Sequence, residues 1–204
     1  QRIKPSTLMD VEKSIRLLYA DKGYLNVDIF SELSKPTKNT DNKGLVRNLI
    51  FTIKENKKIK IGKIIIDGNE AVSDLRLRWE MKETKQQRWY LFWRSTYDKK
   101  KFDEDKNLIS TYYRNKGYRD FQILSDSVKY SSNGKKMNIV LYVDEGPQYK
   151  YRRFSWEGMT LFDENTLQRT LSLDEGQIYS DEDFNMAVYS RVQGLYLDRG
   201  YIYS

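Results

Sequence analysis

The chain repeats itself at a spacing of 90 residues, and this repeat constrains the fold more than any other feature of the sequence. Residues 48–68 align with residues 138–158 without a gap, and apolar positions coincide along the alignment. The identical pairs are Asn48/Asn138, Glu55/Glu145, Lys60/Lys150 and Gly68/Gly158. Each copy has the pattern of a strand, a short polar junction and a second strand that ends in a turn. We therefore expect a fold made of repeated units.

A second motif, Tyr-x-x-Lys/Arg-Gly-Tyr, occurs three times, at residues 19–24, 113–118 and 196–201. Each copy predicts the end of a helix, because Gly suits the left-handed residue after a helix and a cation complements the negative end of the helix dipole. Ser6 and Ser180 are predicted N-caps. The apolar stripes of the three helices are Leu8, Val11, Ile15, Leu18 and Tyr19; Phe102, Ile109, Tyr112 and Tyr113; and Phe184, Val188, Val192 and Leu195.

Dividing the chain at its two polar junctions predicts three units, at residues 1–57, 58–147 and 148–204. Only the middle unit contains a full set of elements. Its predicted strands are 59–67, 120–130 and 137–144, and its predicted helices are 73–83 and 97–116. The order is βααββ, so we expect an α+β fold with two helices on a three-stranded mixed sheet, repeated in tandem, in which the first and last units are incomplete.

The order of strands in the middle unit follows from its turn and from its apolar pattern. Asn133-Gly134 is a strong hairpin signal, so strands 120–130 and 137–144 are predicted to be antiparallel neighbours. Strand 137–144 is continuously apolar and is placed at the centre of the sheet. Strand 120–130 is then an edge, as is its counterpart 25–33 in the first unit. Such edges can bind an extended peptide through main-chain hydrogen bonds.

The composition excludes several classes of enzyme. The chain contains no His and no Cys, which rules out Ser/His/Asp triads, cysteine nucleophiles and the usual zinc sites. The carboxylate pairs Asp103/Asp105 and Asp181/Asp183 lie at predicted helix starts and are interpreted as structural. We therefore expect no enzymatic activity, cofactor or metal. No apolar run approaches the ~20 residues that span a bilayer, and a start at Gln1 without Met indicates a piece of a longer protein.

Charge and aromatic residues leave two questions open. The 36 Lys and Arg exceed the 29 Asp and Glu. Five lysines form a basic run that makes nucleic-acid binding an alternative hypothesis: Lys54, Lys57, Lys58, Lys60 and Lys63. No recognised nucleic-acid-binding motif accompanies this run.

The segment Trp89–Trp93 is either an exposed interaction patch or a cover over the core of a small domain, and we expect it to be packed.

These features together resemble POTRA domains. The resemblance rests on the βααββ order, on the Lys-Gly-Tyr helix endings, on the junction Val143-Asp-Glu-Gly-Pro-Gln-Tyr149 and on the stretch from Trp89 to Tyr118. It is strongest to the POTRA domains of outer-membrane β-barrel assembly factors, and it covers essentially the whole chain. The first junction departs from the pattern, since Asn56, Lys57 and Lys58 replace Gly146, Pro147 and Gln148. The two hinges are therefore not required to have the same stiffness.

The resemblance implies a function as well as a fold. It implies the periplasmic portion of a bacterial outer-membrane protein, held to the membrane by a C-terminal barrel that is absent from this chain. Its partners would be unfolded outer-membrane proteins and accessory lipoproteins, bound by strand addition, with no role for nucleic acid. The implied peptide-binding edge residues are Leu25, Val27, Ile29, Leu33, Phe121, Ile123, Val128 and Tyr130. A POTRA region of another transport or division protein is the remaining alternative.

Overall fold

The computed structural model describes residues 5–38, 45–86, 95–132 and 135–201. Its strands are β1 (Asp28–Leu33), β2 (Thr37–Lys38), β3 (Leu45–Val46), β4 (Leu49–Lys54), β5 (Lys60–Asp67), β6 (Gln122–Tyr130) and β7 (Lys136–Asp144). Its helices are α1 (Pro5–Asp21), α2 (Asp74–Glu80), α3 (Lys99–Asn115), α4 (Glu164–Leu171), α5 (Asp181–Asn185) and α6 (Gln193–Leu197), with a π-helical segment at Met186–Val192. Of the helices in these ranges, none has the length and apolar character to cross a membrane.

Two compact units make up the described chain. One comprises residues 1–63, 83–103 and 129–138, and the other comprises residues 64–82, 104–128 and 139–204. In the first unit, β1 and β4 pair antiparallel from Asp28↔Lys54 to Leu33↔Leu49, and β2 and β3 pair antiparallel in a separate two-stranded sheet. The sequence did not predict that second pair.

A three-stranded sheet has the order β5-β7-β6, which confirms the predicted central position of β7. Buried residues occupy most of β7, in keeping with its continuous apolar run. The connection from β6 to β7 comprises only residues 131–135, and a parallel pair would need a crossover of a dozen or more residues. The two strands are therefore antiparallel, and the Ser131 N–H donates to the Lys136 carbonyl at 2.8 Å beside the turn. The Asn133-Gly134 turn itself lies outside the described residues.

The Tyr-x-x-Lys/Arg-Gly-Tyr motif ends a helix in the same way at all three sites. Gly23, Gly117 and Gly200 adopt the predicted left-handed conformation, with φ of 85°, 90° and 84°. In the first copy, the Tyr24 N–H donates to the Tyr19 carbonyl and the Gly23 N–H donates to the Ala20 carbonyl, and the other copies repeat this pattern. This is the Schellman arrangement, in which residues C3 and C″ come into contact. The motif places tyrosines at both positions, and their rings meet edge to face.

The apolar stripes of the helices are buried to different extents. In α3, Phe102, Ile109 and Tyr113 are buried as predicted. In α1, Val11 and Leu18 are exposed, which corrects the prediction for that helix. The physical reason is the smaller sheet, because two paired strands offer a helix less apolar surface than three.

The last part of the described chain forms α4 and a continuous helical stretch from α5 through the π-helical segment to α6, without the first strand that the repeat predicted. In place of a strand at 149–157, the described residues contain a single bridge between Lys150 and Ile178. A strand is stabilised by hydrogen bonds to a neighbouring strand, and the described residues after 148 contain no counterpart of β7 that could pair with it. The buried cluster here consists of Tyr151, Leu171, Leu173 and Ala187. Ser180 caps α5 as predicted, because its hydroxyl accepts the Asp183 N–H at 3.1 Å.

Candidate functional site

Strand β6 forms one edge of the three-stranded sheet. Within the described ranges, β7 is the one strand that pairs with it. Among the predicted binding residues, Ile123 and Val128 are half-buried and Tyr130 is exposed, and Leu124 is a further exposed apolar side chain. The opposite edge strand is covered near its start, where the Ile61 N–H donates to the Ser95 carbonyl at 2.7 Å. The nine residues of β6 therefore present the longer open row of main-chain groups.

The direction of the β6 amides follows from its last contact with β7. Because the Ser131 N–H points towards Lys136, alternation along an antiparallel strand directs the main-chain groups of Tyr130 and Val128 away from β7. These are the groups that an added strand would pair with. Phe121, by contrast, precedes the strand and is buried against Tyr113, with stacked ring centroids 4.1 Å apart. Its placement among the edge residues is corrected: Phe121 belongs to the core.

The second candidate edge, β1, is shorter than predicted. It begins at Asp28, so Leu25 and Val27 lie before the strand, and the carbonyl of Val27 accepts a hydrogen bond from Arg16. Ile29 is buried, as its alternation predicted, but Leu33 is 49% exposed. The predicted alternation is lost towards the end of this strand, where the sheet is only two strands wide.

Both junctions use the same main-chain contact. The Ile59 N–H donates to the Gly23 carbonyl at 2.8 Å, and the Tyr149 N–H donates to the Gly117 carbonyl at 2.8 Å. Each helix-ending glycine is thus held by the first residue after a junction, and a Cβ at either position would contact backbone, 2.5 Å from the Tyr97 oxygen or 2.9 Å from the Tyr149 oxygen. In these two copies, the motif ends a helix and its glycine also accepts a main-chain hydrogen bond from the next part of the chain.

The junction residues also adopt matching backbone conformations despite their different sequences. Asn56 and Gly146 are equivalent in the repeat, and both are left-handed, with φ of 57° and 63°. Asn56 stabilises this conformation through its side chain, which donates to the Asn26 carbonyl and to Asp28. Lys58 lies over the ring of Tyr24, and the Gln148 side chain donates to the Lys116 carbonyl at 2.9 Å.

We expect Asn56→Ala to be less stable than Asn56→Gly by about 1 kcal/mol. Both variants lose the side-chain hydrogen bonds, but only alanine has to carry a Cβ in the left-handed region. Urea unfolding of the two variants measures the difference. Equal stabilities would show that the left-handed conformation at this junction is not retained in solution.

A buried cluster of hydrogen bonds around the Glu145 carboxylate connects the end of β7 to α3 and to the segment before α2. The Tyr113 hydroxyl donates to Glu145 Oε1 at 2.6 Å, while Glu145 Oε2 accepts the N–H groups of Glu70 and Ala71 at 3.1 and 2.9 Å. Burial, and next the hydrogen bond to the negatively charged Glu145, raise the pKa of Tyr113 strongly. The sequence did not predict this cluster, although the recurrence of Glu55 as Glu145 marked the position.

This pKa shift predicts a loss of stability in alkali. An unfolded tyrosine ionises near pH 10, whereas Tyr113 stays neutral in the folded protein, so its contribution is constant below pH 10 and declines above it. The expected slope from this residue is about 1.4 kcal/mol per pH unit. Urea unfolding at pH 8 to 11.5 measures it, and Tyr113→Phe is expected to remove that part of the slope. An unchanged slope in Tyr113→Phe would contradict the assignment.

The carboxylates considered as possible catalytic pairs make structural contacts. Asp105 is buried and accepts the Lys82 N–H at 2.6 Å, and Asp181 accepts the Tyr179 hydroxyl at 2.7 Å. In the part of the chain that the structure describes, no group of three or more acidic side chains is placed to hold a metal ion. The aromatic segment Trp89–Trp93 lies outside the described residues.

Comparison with known proteins connects this geometry to a family. Residues 59–146 match the POTRA family model, described as a surface antigen variable number repeat. The match covers the middle part of the chain. It begins with β5, ends at the Glu145-Gly146 junction and contains both the β6 edge and the Tyr113 and Glu145 cluster. The unit boundaries at 57/58 and 147/148 stay a prediction.

The relatives of the chain extend beyond that segment. The outer membrane protein assembly factor BamA of Neisseria meningitidis serogroup B is 29% identical over 209 residues, which cover 100% of this chain and 25% of that protein. A putative outer membrane protein assembly factor of Treponema pallidum is 26% identical and covers 93% of this chain and 22% of that protein. The chain thus spans about a quarter of the length of these relatives.

A solved structure is also similar. The crystal structure of Haemophilus influenzae BamA POTRA3-5 matches with a TM-score of 0.49 and 18% identity, over 100% of this chain and 73% of that one.

Proposed function

We propose that this chain is a periplasmic scaffold of outer-membrane protein assembly, and that it holds unfolded outer-membrane protein strands by adding them to the β6 edge. One observation carries the proposal: within the described residues β6 is a nine-residue edge strand that pairs with β7, and it lies inside the segment that matches the POTRA family model. The relatives that are named as assembly factors support the biological setting. Accessory lipoproteins of an assembly complex are a second class of partner for the same edge.

The chemistry of strand addition suits such a client. Main-chain hydrogen bonds contribute about 1 kcal/mol each and require no particular side chains, so a single edge can bind many sequences weakly. The exposed Leu124 and Tyr130 add apolar surface beside the main-chain groups. Weak binding allows release, and the role needs no covalent step. The chain is the periplasmic portion of an outer-membrane protein under this proposal.

Proline at position 128 tests the edge directly. The Val128 N–H is directed away from β7, so Val128→Pro removes an outward donor without removing a bond to β7. We expect affinity for an extended peptide from an outer-membrane strand to fall on the order of tenfold, from the lost bond and the disturbed neighbouring pair. Fluorescence anisotropy of the labelled peptide measures the change.

Val128→Ala is the matched control, because it shortens the same side chain and keeps the N–H. It is expected to bind within about twofold of the unchanged protein. Circular dichroism checks that both variants are folded. Equal affinity of folded Val128→Pro and Val128→Ala would exclude strand addition at this part of β6.

A further inference from the structure

Helix α2 exposes two large apolar side chains that the fold does not require. Leu75 is 54% exposed and Trp79 is 69% exposed. They are four residues apart and therefore lie on the same face of the helix. The buried side of α2 is formed by Leu77 and is continued by Met81 just after the helix, so the exposed pair takes no part in that side.

The internal repeat provides a comparison for this helix within the same chain. Helix α4 lies 90 residues later, and both helices are N-capped at equivalent positions, Ser73 and Asp163. The buried positions agree, since Leu167 and Leu171 are the counterparts of Leu77 and Met81. The exposed positions of the two helices differ.

Leu75 corresponds to Asn165, and Trp79 corresponds to Arg169, and both of these polar residues are exposed. The repeat thus forms the same helix with polar residues at these two positions. The formation of this helix therefore does not require an apolar pair at these two positions.

The charges around the pair indicate what kind of partner it suits. Arg76 forms an ion pair with Glu80 at 2.6 Å, and Arg78 forms one with Asp74 at 2.9 Å. The charges of α2 are neutralised within the helix, although the whole chain carries +7. A helix whose own charges cancel offers no specific attraction to a polyanion such as nucleic acid or an anionic lipid surface.

The size of the patch argues against a folded partner or a stable dimer. Together the two side chains expose on the order of 250 Å² of apolar surface, well below the ~800 Å² per partner of a stable interface. A patch of this size accommodates one or two apolar side chains. A short apolar segment of an unfolded chain is the occupant that matches both its size and its neutrality.

We propose that Leu75 and Trp79 form an apolar anchor for side chains of an unfolded client, separate from the β6 edge. The proposal rests on the proposed function, because it names a second contact for the same class of client. The anchor holds aromatic or branched aliphatic side chains, while β6 holds the main chain. Outer-membrane strands, which alternate apolar and polar residues, present such side chains along one face.

The repeat supplies the test variants. The double variant Leu75→Asn, Trp79→Arg gives α2 the residues that α4 already carries, so the helix is expected to fold. The reciprocal variant Asn165→Leu, Arg169→Trp places the apolar pair on α4. The probe is a fluorescein-labelled synthetic peptide of about ten residues that alternates Leu, Tyr and Phe with Ser and Thr. A second peptide, with Ser at every apolar position, is the control probe, because it has no apolar side chain for the anchor to hold.

We expect the α2 variant to bind the apolar peptide about fivefold to tenfold more weakly and the Ser peptide unchanged. The reciprocal variant, made on the α2 variant, is expected to recover part of the loss. Unchanged binding of the apolar peptide to the α2 variant, with loss in Val128→Pro, would overturn the anchor and leave the β6 edge in place. The reverse pattern would support the anchor and overturn the edge.

Two further measurements distinguish an unfolded client from two other possible occupants of the Leu75 and Trp79 surface, a second copy of the chain and a lipid bilayer. Sedimentation velocity that shows a dimer of the unchanged protein and a monomer of the α2 variant would identify a self-association surface and overturn the anchor. Binding of the unchanged protein, but not of the α2 variant, to vesicles of phosphatidylcholine and phosphatidylglycerol would overturn it in favour of a lipid contact. A monomer that does not bind these vesicles supports it.

Discussion

Gly68→Ala is expected to destabilise the protein by about 3 kcal/mol or more. Gly68 has a φ of 96°, and a Cβ at this position would overlap the carbonyl oxygen of Val143, on the central strand β7. The substitution combines a strained backbone conformation with a clash against main chain that cannot move without disturbing the sheet. Urea unfolding followed through the amide signals of β7 measures the loss.

Gly158→Ala is the matched control for this prediction. Gly158 is the repeat counterpart of Gly68 and is also left-handed, with a φ of 72°, but apart from its chain neighbours no atom of the described residues lies within 4 Å of the position of its Cβ. It is expected to cost only the conformational strain, about 1 kcal/mol. If the two alanine variants lost the same stability, the close approach of Gly68 to β7 would be refuted.

Glu145→Ala is expected to cost about 3 kcal/mol. The substitution leaves the Tyr113 hydroxyl and the N–H groups of Glu70 and Ala71 without their acceptor in a buried site. Tyr113→Phe removes only one of these bonds and is expected to cost about 1 kcal/mol. Both values come from the same urea measurement on the β7 signals.

The repeat again provides a control. Glu55 is equivalent to Glu145 but is exposed, so Glu55→Ala is expected to change stability by less than about 0.5 kcal/mol. A loss in Glu145→Ala no larger than that in Glu55→Ala would contradict the buried role of the carboxylate. The comparison also separates the effect of burial from the effect of sequence, since the two positions carry the same residue.

The features that the sequence predicted well depend on local geometry or on a continuous pattern. The Lys-Gly-Tyr endings were predictable because a Schellman turn involves only six consecutive residues. The central position of β7 followed from its unbroken apolar run. By contrast, the burial of Phe121 depends on its stacking with Tyr113, which strand alternation does not reveal.

Other features required knowledge of the surroundings. Leu18 and Leu33 have apolar patterns typical of inward residues, yet both are exposed where the sheet is only two strands wide. Glu55 and Glu145 are identical in sequence and differ in burial, so no local pattern distinguishes them. The exposed pair Leu75 and Trp79 became informative only when the structure aligned α2 with α4.

The central claim is that this chain binds extended client strands along β6. Titration of the isotope-labelled protein with an outer-membrane strand peptide, followed by amide chemical shifts, tests it most directly. We predict saturable shifts concentrated in residues 122–130, with smaller changes at β1 (Asp28–Leu33). Shifts confined to helix α3, or none at millimolar peptide, would contradict the account.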